Sequence, residues 1–376
     1  MSAAGGARAI RRRIAVVAPL WIAIPPPDYG GTELVLHLLV EGLVARGHDV
    51  TLYATGGSTT SARLVPVLER PLFDLMVEGR AYDYEAYANA ALVQALQHEP
   101  AYDIVHCHLG LAQLPAATMT STPVVFTAHT VPTQDDHWVL SRFPEVTVSA
   151  ISGFQASTFP VDRSVPVDVV HHGIDFEAFE LGAGAGGYLA FLGRMGSHKA
   201  PRDAIRIARA AAMPLVLAGR PQSPQEIAYF NDEVKPFVDG THVRYIGPVD
   251  ARAKHELMAN AAALLFPIHG DEAFGIVMIE AMACGTPVVA WNRGSVPEVI
   301  DPGVTGFVGD SIEALTDFVP LATALDRQRV RERARERFHH SRMIDDYETL
   351  YERVLRDHGS ARHRLRRTTT RSGAES

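Results

Sequence analysis

Residues 263–290 constrain the fold more than any other stretch. They read A-L-L-F-P-I-H-G-D-E-A-F-G-I-V-M-I-E-A-M-A-C-G-T-P-V-V-A. The run at 263–267 is apolar throughout, as in a strand buried on both faces. A polar loop carrying Glu272 follows it. Gly275 then opens a second apolar run, which reads as a helix with Glu280 more than a turn inside. Residues 286–290 form the next apolar run. Strand, loop, helix and strand make a βαβ unit, and such units require a parallel sheet.

The same unit recurs along the chain. In the first half, apolar runs at 14–18, 49–53, 103–108, 123–130, 146–149 and 167–170 predict a sheet of about six strands. Helical spacing covers 32–46 and 82–98. Residues 54–80 are rich in turns and yield no element. In the second half, strands are expected at 188–192, 214–218, 243–246, 263–267, 286–290 and 306–308. A helix is expected at 201–213, and a charged helical tail at 327–356.

A chain of 376 residues exceeds what one core usually holds, so two domains are expected. Residues 1–13 read as a disordered arm and 14–175 as the first domain. Residues 176–187 read as a linker, 188–340 as the second domain and 359–376 as a disordered polar tail. The linker contains Gly182-x-Gly184-x-x-Gly187. That string precedes a strand instead of following one, so it is a flexible joint and not a dinucleotide turn.

Composition removes several functions. The net charge of −8 argues against non-specific nucleic-acid binding. Cys107 and Cys284 lie in apolar segments and suggest no disulfide framework. The basic residues 11–13 and the apolar run after them imitate a signal peptide. No small-x-small site follows, and cleavage would delete the first strand, so the strand reading stands. No apolar stretch reaches the roughly 20 residues of a spanning helix. A cytoplasmic location is expected, with membrane contact limited to the basic tail.

The candidate chemistry is anionic. A helix N-terminus offers unpaired N–H groups to phosphate. A carboxylate can accept both hydroxyls of a vicinal diol. One polyol at Glu272, another at Glu280 and a phosphate on the amides of Phe274, Gly275 and Ile276 outline a nucleoside-diphosphate sugar. The alternative is an amphipathic helix with its acids in water. Arg194 and Lys199 follow one strand and precede a helix, where cations can hold a diphosphate. Solvated surface cations are the alternative there. The chain has three lysines against thirty-two arginines, so Lys199 departs from its habit.

Gly30 and Gly31 stand at a helix entrance, allowing close approach to a ligand or a tight turn. His106 and His108 share one face of a strand. With Asp135, Asp136 and His137 they could supply metal ligands, but no tight spacing supports that and no metal is expected. His129 lies just past a strand's carboxyl end, where ligands bind in such sheets. Arg220, Gly247 and Pro248 lie on two further loops after strands.

The string E-x7-E, Glu272 to Glu280, runs directly into A-M-A-C-G-T-P-V-V-A at 281–290. On these residues the chain resembles glycosyltransferase family 4, the retaining nucleotide-sugar transferases of GT-B fold. The family pattern G-R-x-x-x-x-K-G falls on 193–200, with Ala200 replacing the last glycine. The pattern H/P-N-G-I/V-D falls on 171–175, with His172 replacing the asparagine.

The resemblance implies two Rossmann-like, doubly wound parallel-sheet domains facing across a cleft. The helix at 343–357 would return to the first domain. It implies transfer of a sugar, with retention, from a nucleoside-diphosphate sugar (a UDP-sugar is favoured) to an acceptor hydroxyl. Neither cofactor nor metal is implied. The implied catalytic residues are Glu272, His129, Arg194 and Lys199. Arg194, Lys199, Gly31, Gly275 and Ile276 would hold the diphosphate. His129, Glu272, Phe274 and Gly275 would hold the sugar, and Glu280 the ribose. Arg220, Gly247 and Pro248 would meet the base, and Gly30 and Gly31 the acceptor. Closure about 171–187 would exclude water. Retention by double displacement needs a carboxylate nucleophile, and none is identifiable; the resemblance implies same-face substitution assisted by the departing phosphate. The competing expectations are an epimerase or hydrolase of the same fold, and a sugar-nucleotide-binding subunit without activity.

Overall fold

The computed structural model describes residues 10–27 and 30–372, with the side chains of 361–372 excepted. It falls into two compact units. One is Met1–Ala150, Phe159–Val170 and Met343–Ser376; the other is Ile151–Thr158 and His171–Arg342.

The first unit is built on seven strands: β1 Arg13–Val17, β2 Asp49–Thr55, β3 Arg63–Leu68, β4 Ile104–Cys107, β5 Val124–Thr127, β6 Thr147–Ala150 and β7 Asp168–Val169. Their order is β3-β2-β1-β4-β5-β6-β7, and every neighbouring pair is parallel. Ile14, Val16, Leu52, Ile104, Val125 and Val148 are fully buried. That is why these strands read as continuous apolar runs rather than alternating ones. Each such side chain contributes roughly 1.5–3 kcal/mol on burial.

The sequence missed β3 and the short helix Leu72–Val77. Pro66 interrupts the β3 run, and β3 survives because it is an edge strand, where a missing N–H is tolerated. The expected arm ends earlier than residue 13, because Arg13 already pairs with Asp49 in the sheet. Residues 1–9 lie outside the described residues.

The long helix His340–Ser372 belongs to this unit from Met343 onward. Arg46 at the end of the helix Gly31–Ala45 pairs with Asp345 at 2.6 Å and with Glu348. A Cβ on Gly42 would meet Ile344 Cδ1 at 2.1 Å, so the glycine admits the returning helix. The tail expected to be disordered from 359 is helical to Ser372, since no proline interrupts it. Residues 373–376 lie outside the description.

The second unit repeats the plan with β8 Leu189–Leu192, β9 Leu215–Ala218, β10 Val243–Tyr245, β11 Ala263–Phe266, β12 Val288–Trp291 and β13 Gly306–Gly309. The order is β10-β9-β8-β11-β12-β13, again all parallel. Read from β8, this is the 3-2-1-4-5-6 order of the Rossmann plan. Leu189, Leu217, Ala263, Leu265 and Val289 form its buried centre with Ile205, Ile207 and Leu315.

The expected linker is not a free joint. Residues 176–187 belong to the second unit. Gly182 N donates to Cys284 O at 2.9 Å, Gly184 N to Ala259 O at 3.0 Å and Gly186 N to Asn260 O at 2.9 Å. Arg327 adds donations to Gly182 O and Ala261 O at 2.7 and 2.9 Å. The glycines let the backbone lie against two helix C-termini, whose last carbonyls need donors. The short helix Gly153–Ser157 also belongs to this unit, as do residues 171–175, which the sequence had assigned to the first domain.

Candidate active site

In an open parallel sheet the ligand-binding edge is the carboxyl one, where strand order reverses. In the second unit that point lies between β8 and β11. The loop after β8 carries Arg194 and Lys199, and the loop after β11 carries Glu272. The two loops meet: Lys199 Nζ donates to Glu272 Oε2 at 2.5 Å. Both side chains are partly exposed, at 23% and 18%. Arg194 Nη2 lies 2.9 Å from His198 Nε2, and its Nη1 is 3.3 Å from Glu226 Oε1. Burial first, then the Arg194 and Lys199 charges, push His198 below its usual pKa.

Ala200 holds this loop's end in the left-handed region, φ 54° and ψ 50°. The resembled pattern has glycine at this position, and the alanine takes the conformation glycine would adopt freely.

The Glu272 loop is held from behind. Ser295 N donates to Glu272 O at 2.9 Å. A Cβ on Gly294 would fall 2.5 Å from Glu272 N. Phe274 is buried against His172 and Phe338, with ring centroids 5.2 and 5.8 Å away. Gly275 caps the helix Ile276–Ala283 in the left-handed region at φ 82°, with no side-chain capping bond. The first-turn amides, Ile276 included, are therefore presented by backbone geometry alone.

Glu280 sits inside that helix and is buried. Its carboxylate takes a hydrogen bond from Lys254 Nζ at 2.5 Å. Sequence reading missed Lys254, which lies on the neighbouring helix Ala251–Asn260. Two of the chain's three lysines thus pair with the two motif acids; that rarity was the available signal. Around β9 and β10, Gly219 N donates to Gly247 O at 2.8 Å, which joins the two loops assigned to the base. Arg220 and Pro248 are exposed on these loops.

In the first unit the order reverses between β1 and β4. Gly30 caps the helix Gly31–Ala45. A Cβ there would meet Ile22 Cδ1 at 2.5 Å and Glu33 Oε2 at 2.8 Å. A side chain at 30 would therefore have to displace the ends of Ile22 and Glu33. Glu33, a second residue the sequence reading missed, is buried, and burial raises its pKa. His129 follows β5, with Nε2 at 3.0 Å from His108 Nδ1. His106 spends both ring nitrogens on Tyr351 and Thr127 hydroxyls. Among the described residues no group of three or more His, Cys, Asp or Glu side chains could hold a metal ion.

Two Rossmann-plan units, the second with Arg194, Lys199 and Glu272 on its carboxyl edge, define a GT-B glycosyltransferase. The family "Glycosyltransferase Family 4" matches residues 29–178, and "Glycosyl transferases group 1" matches residues 176–337. The chain belongs to the family 4 type of glycosyltransferases. It is 26% identical over 411 aligned residues to D-inositol 3-phosphate glycosyltransferase of Mycolicibacterium smegmatis, covering 94% of this chain and 93% of that one. AviGT4, a glycosyltransferase involved in avilamycin A biosynthesis, shares the fold at TM-score 0.69 and 24% identity, over 92% of this chain and 98% of its own. Anabaena HepE, solved in complex with UDP-glucose, shares it at TM-score 0.68 and 16% identity, over 91% of this chain and 100% of its own. Among the described residues no helix is long and apolar enough to cross a membrane.

Proposed function

We propose that this glycosyltransferase moves a sugar, with retention, from a UDP-sugar to an acceptor hydroxyl. The observation that carries the reading is the pairing of Lys199 with Glu272 and Lys254 with Glu280, one pair on each side of the Gly275 turn. Each acid lies beside a cation, and the helix amides lie between them. Glu280 binds the ribose, and Glu272 with Phe274 and Gly275 binds the sugar. Gly247, Pro248 and Arg220 meet the base.

Negative charge grows on the departing diphosphate as the glycosidic bond breaks. Arg194, Lys199 and the amides at Gly275 and Ile276 stabilise it. In this reading they do so without a metal ion, so turnover survives a chelator. In the first unit Gly30 and Gly31 serve the acceptor, with Gly31 also near the diphosphate. His129 serves the donor sugar. The complex of HepE with UDP-glucose favours uridine, and the relatives' name makes D-inositol 3-phosphate the first acceptor to try. In this reading the reaction takes place in the cytoplasm.

The test is calorimetry with uridine, guanosine and adenosine diphosphates on the intact protein and on E280A. Binding of UDP to the intact protein, weakened in the variant, supports the reading; equal affinities remove Glu280 from the ribose. Product analysis of a UDP-sugar with and without acceptor separates transfer from hydrolysis or epimerisation.

A further inference from the structure

A polar cluster runs through the first unit behind His129. His106 on β4, Thr127 on β5 and Ser149 on β6 are fully buried. His106 Nδ1 is 2.6 Å from the Tyr351 hydroxyl, and its Nε2 is 2.7 Å from Thr127 Oγ1. Thr127 Oγ1 also lies 2.7 Å from Ser149 Oγ and 3.2 Å from the Tyr347 hydroxyl. The His106 and His108 rings pack with centroids 3.9 Å apart. His108 Nδ1 then reaches His129 Nε2 at 3.0 Å. Buried polar groups cost stability unless partnered, and apolar residues of similar volume would fill the space as well. A partnered network of this kind fixes one arrangement of its members.

We propose that His108 is a positioning residue for His129: it fixes which His129 ring nitrogen carries the proton and where the ring points. Tyr347 and Tyr351 of the C-terminal helix anchor the network from behind. The inference rests on the reading that His129 serves the donor sugar.

Burial drives His106 down to about 3 and His129 to about 4, so both are neutral near pH 7. Of the two nitrogens in the His108–His129 contact, one must carry the N–H and the other offer the lone pair. The tautomer of His129 is therefore tied to that of His108. If His108 Nδ1 carries the hydrogen, His129 Nε2 accepts it and His129 Nδ1 keeps its own. The reverse assignment reverses both. The tautomer decides whether His129 offers a hydrogen or a lone pair to a sugar hydroxyl, so the effect falls on kcat rather than on nucleotide affinity.

The test uses the full chain with nitrogen-15 histidine. Imidazole spectra and donor turnover are compared for wild type, H108L, H108N and H108Q. Asparagine places an amide where Nδ1 was; glutamine and leucine do not. In wild type His129 is expected as one neutral tautomer. H108L and H108Q are expected to move its nitrogen shifts toward a tautomer mixture and to lower kcat about tenfold to a hundredfold. H108N is expected to retain both signatures, with KM for the donor steady within about twofold in every variant. Unchanged His129 shifts in H108L and H108Q overturn the proposal, as does an H108N as impaired as H108Q. H129A is the separate control: wild-type turnover there removes His129 from the chemistry, while the spectra still decide whether His108 sets its tautomer.

Discussion

Lys254 Nζ lies 2.5 Å from Glu280 Oε1, with side chains only 17% and 7% exposed. The helix around Glu280 is otherwise apolar, I-V-M-I-E-A-M-A, so the carboxylate depends on that ammonium. Removing one partner leaves a buried charge unpaired. K254M is therefore expected to lose about 3 kcal/mol of stability. The double variant K254M/E280Q is expected to lose less than the sum of the single changes, because they share one interaction. Urea unfolding of the four proteins measures this, and strict additivity would show that the pair is not coupled.

Lys199 makes the matching bond to Glu272 at 2.5 Å, but it lies on a loop at the sheet edge. K199A is expected to lower kcat about a hundredfold, the usual effect of removing a donor aimed at developing charge. Stability is expected to change by no more than about 1 kcal/mol, since the pair is partly open to water. Diphosphate release and a melting curve read the two effects. Wild-type turnover would take Lys199 out of the site.

The buried histidines make stability depend on pH. The folded pKa values of His106 and His129 are lowered to about 3 and about 4. Below the ordinary value of about 6.5, the unfolded chain binds protons that the folded chain refuses. Their contribution is therefore full above about pH 6.5 and is lost as pH falls toward the folded values, at up to about 1.4 kcal/mol per pH unit for each histidine. Urea unfolding at pH 7.5 and 5 should show the loss, and H106N should reduce it. An equal loss in H106N would place the acid sensitivity elsewhere.

What could be read locally was read. The strands around β8 and β11 are buried on both faces, so their apolar runs marked them. Gly275 sits where the chain changes from loop to helix, and its left-handed φ of 82° explains why a glycine stands there. Contacts between segments distant in sequence left little local trace. Lys254 lies 26 residues from Glu280, and only its rarity marked it. Glu226, which meets Arg194, lies on a helix the sequence reading did not assign. The glycines at 182–187 looked like a joint because nothing nearby shows that their amides reach Cys284, Ala259 and Asn260. Gly294 gave no hint that it packs on the backbone of Glu272.

Gly275 offers the sharpest test of the helix entrance. Its φ of 82° is one that L side chains rarely adopt, and a Cβ there would sit 2.5 Å from Met278 Cε and 3.3 Å from Glu272 Cγ. Alanine would cost about 1–2 kcal/mol in backbone strain alone. Relief of that strain would rotate the first-turn amides at Ile276 and Val277, while pressure on Cγ would shift the Glu272 carboxylate from Lys199. G275A is thus expected to lower the melting temperature and to weaken nucleoside-diphosphate binding by about tenfold or more. The matched control is G303A, because Gly303 has a similar φ of 75° but no atom within 4 Å of a Cβ. Both variants carry strain, and only G275A disturbs the amides and the acid. Calorimetry with UDP compares them. Equal affinity in the two would show that the Gly275 turn does not shape the diphosphate site.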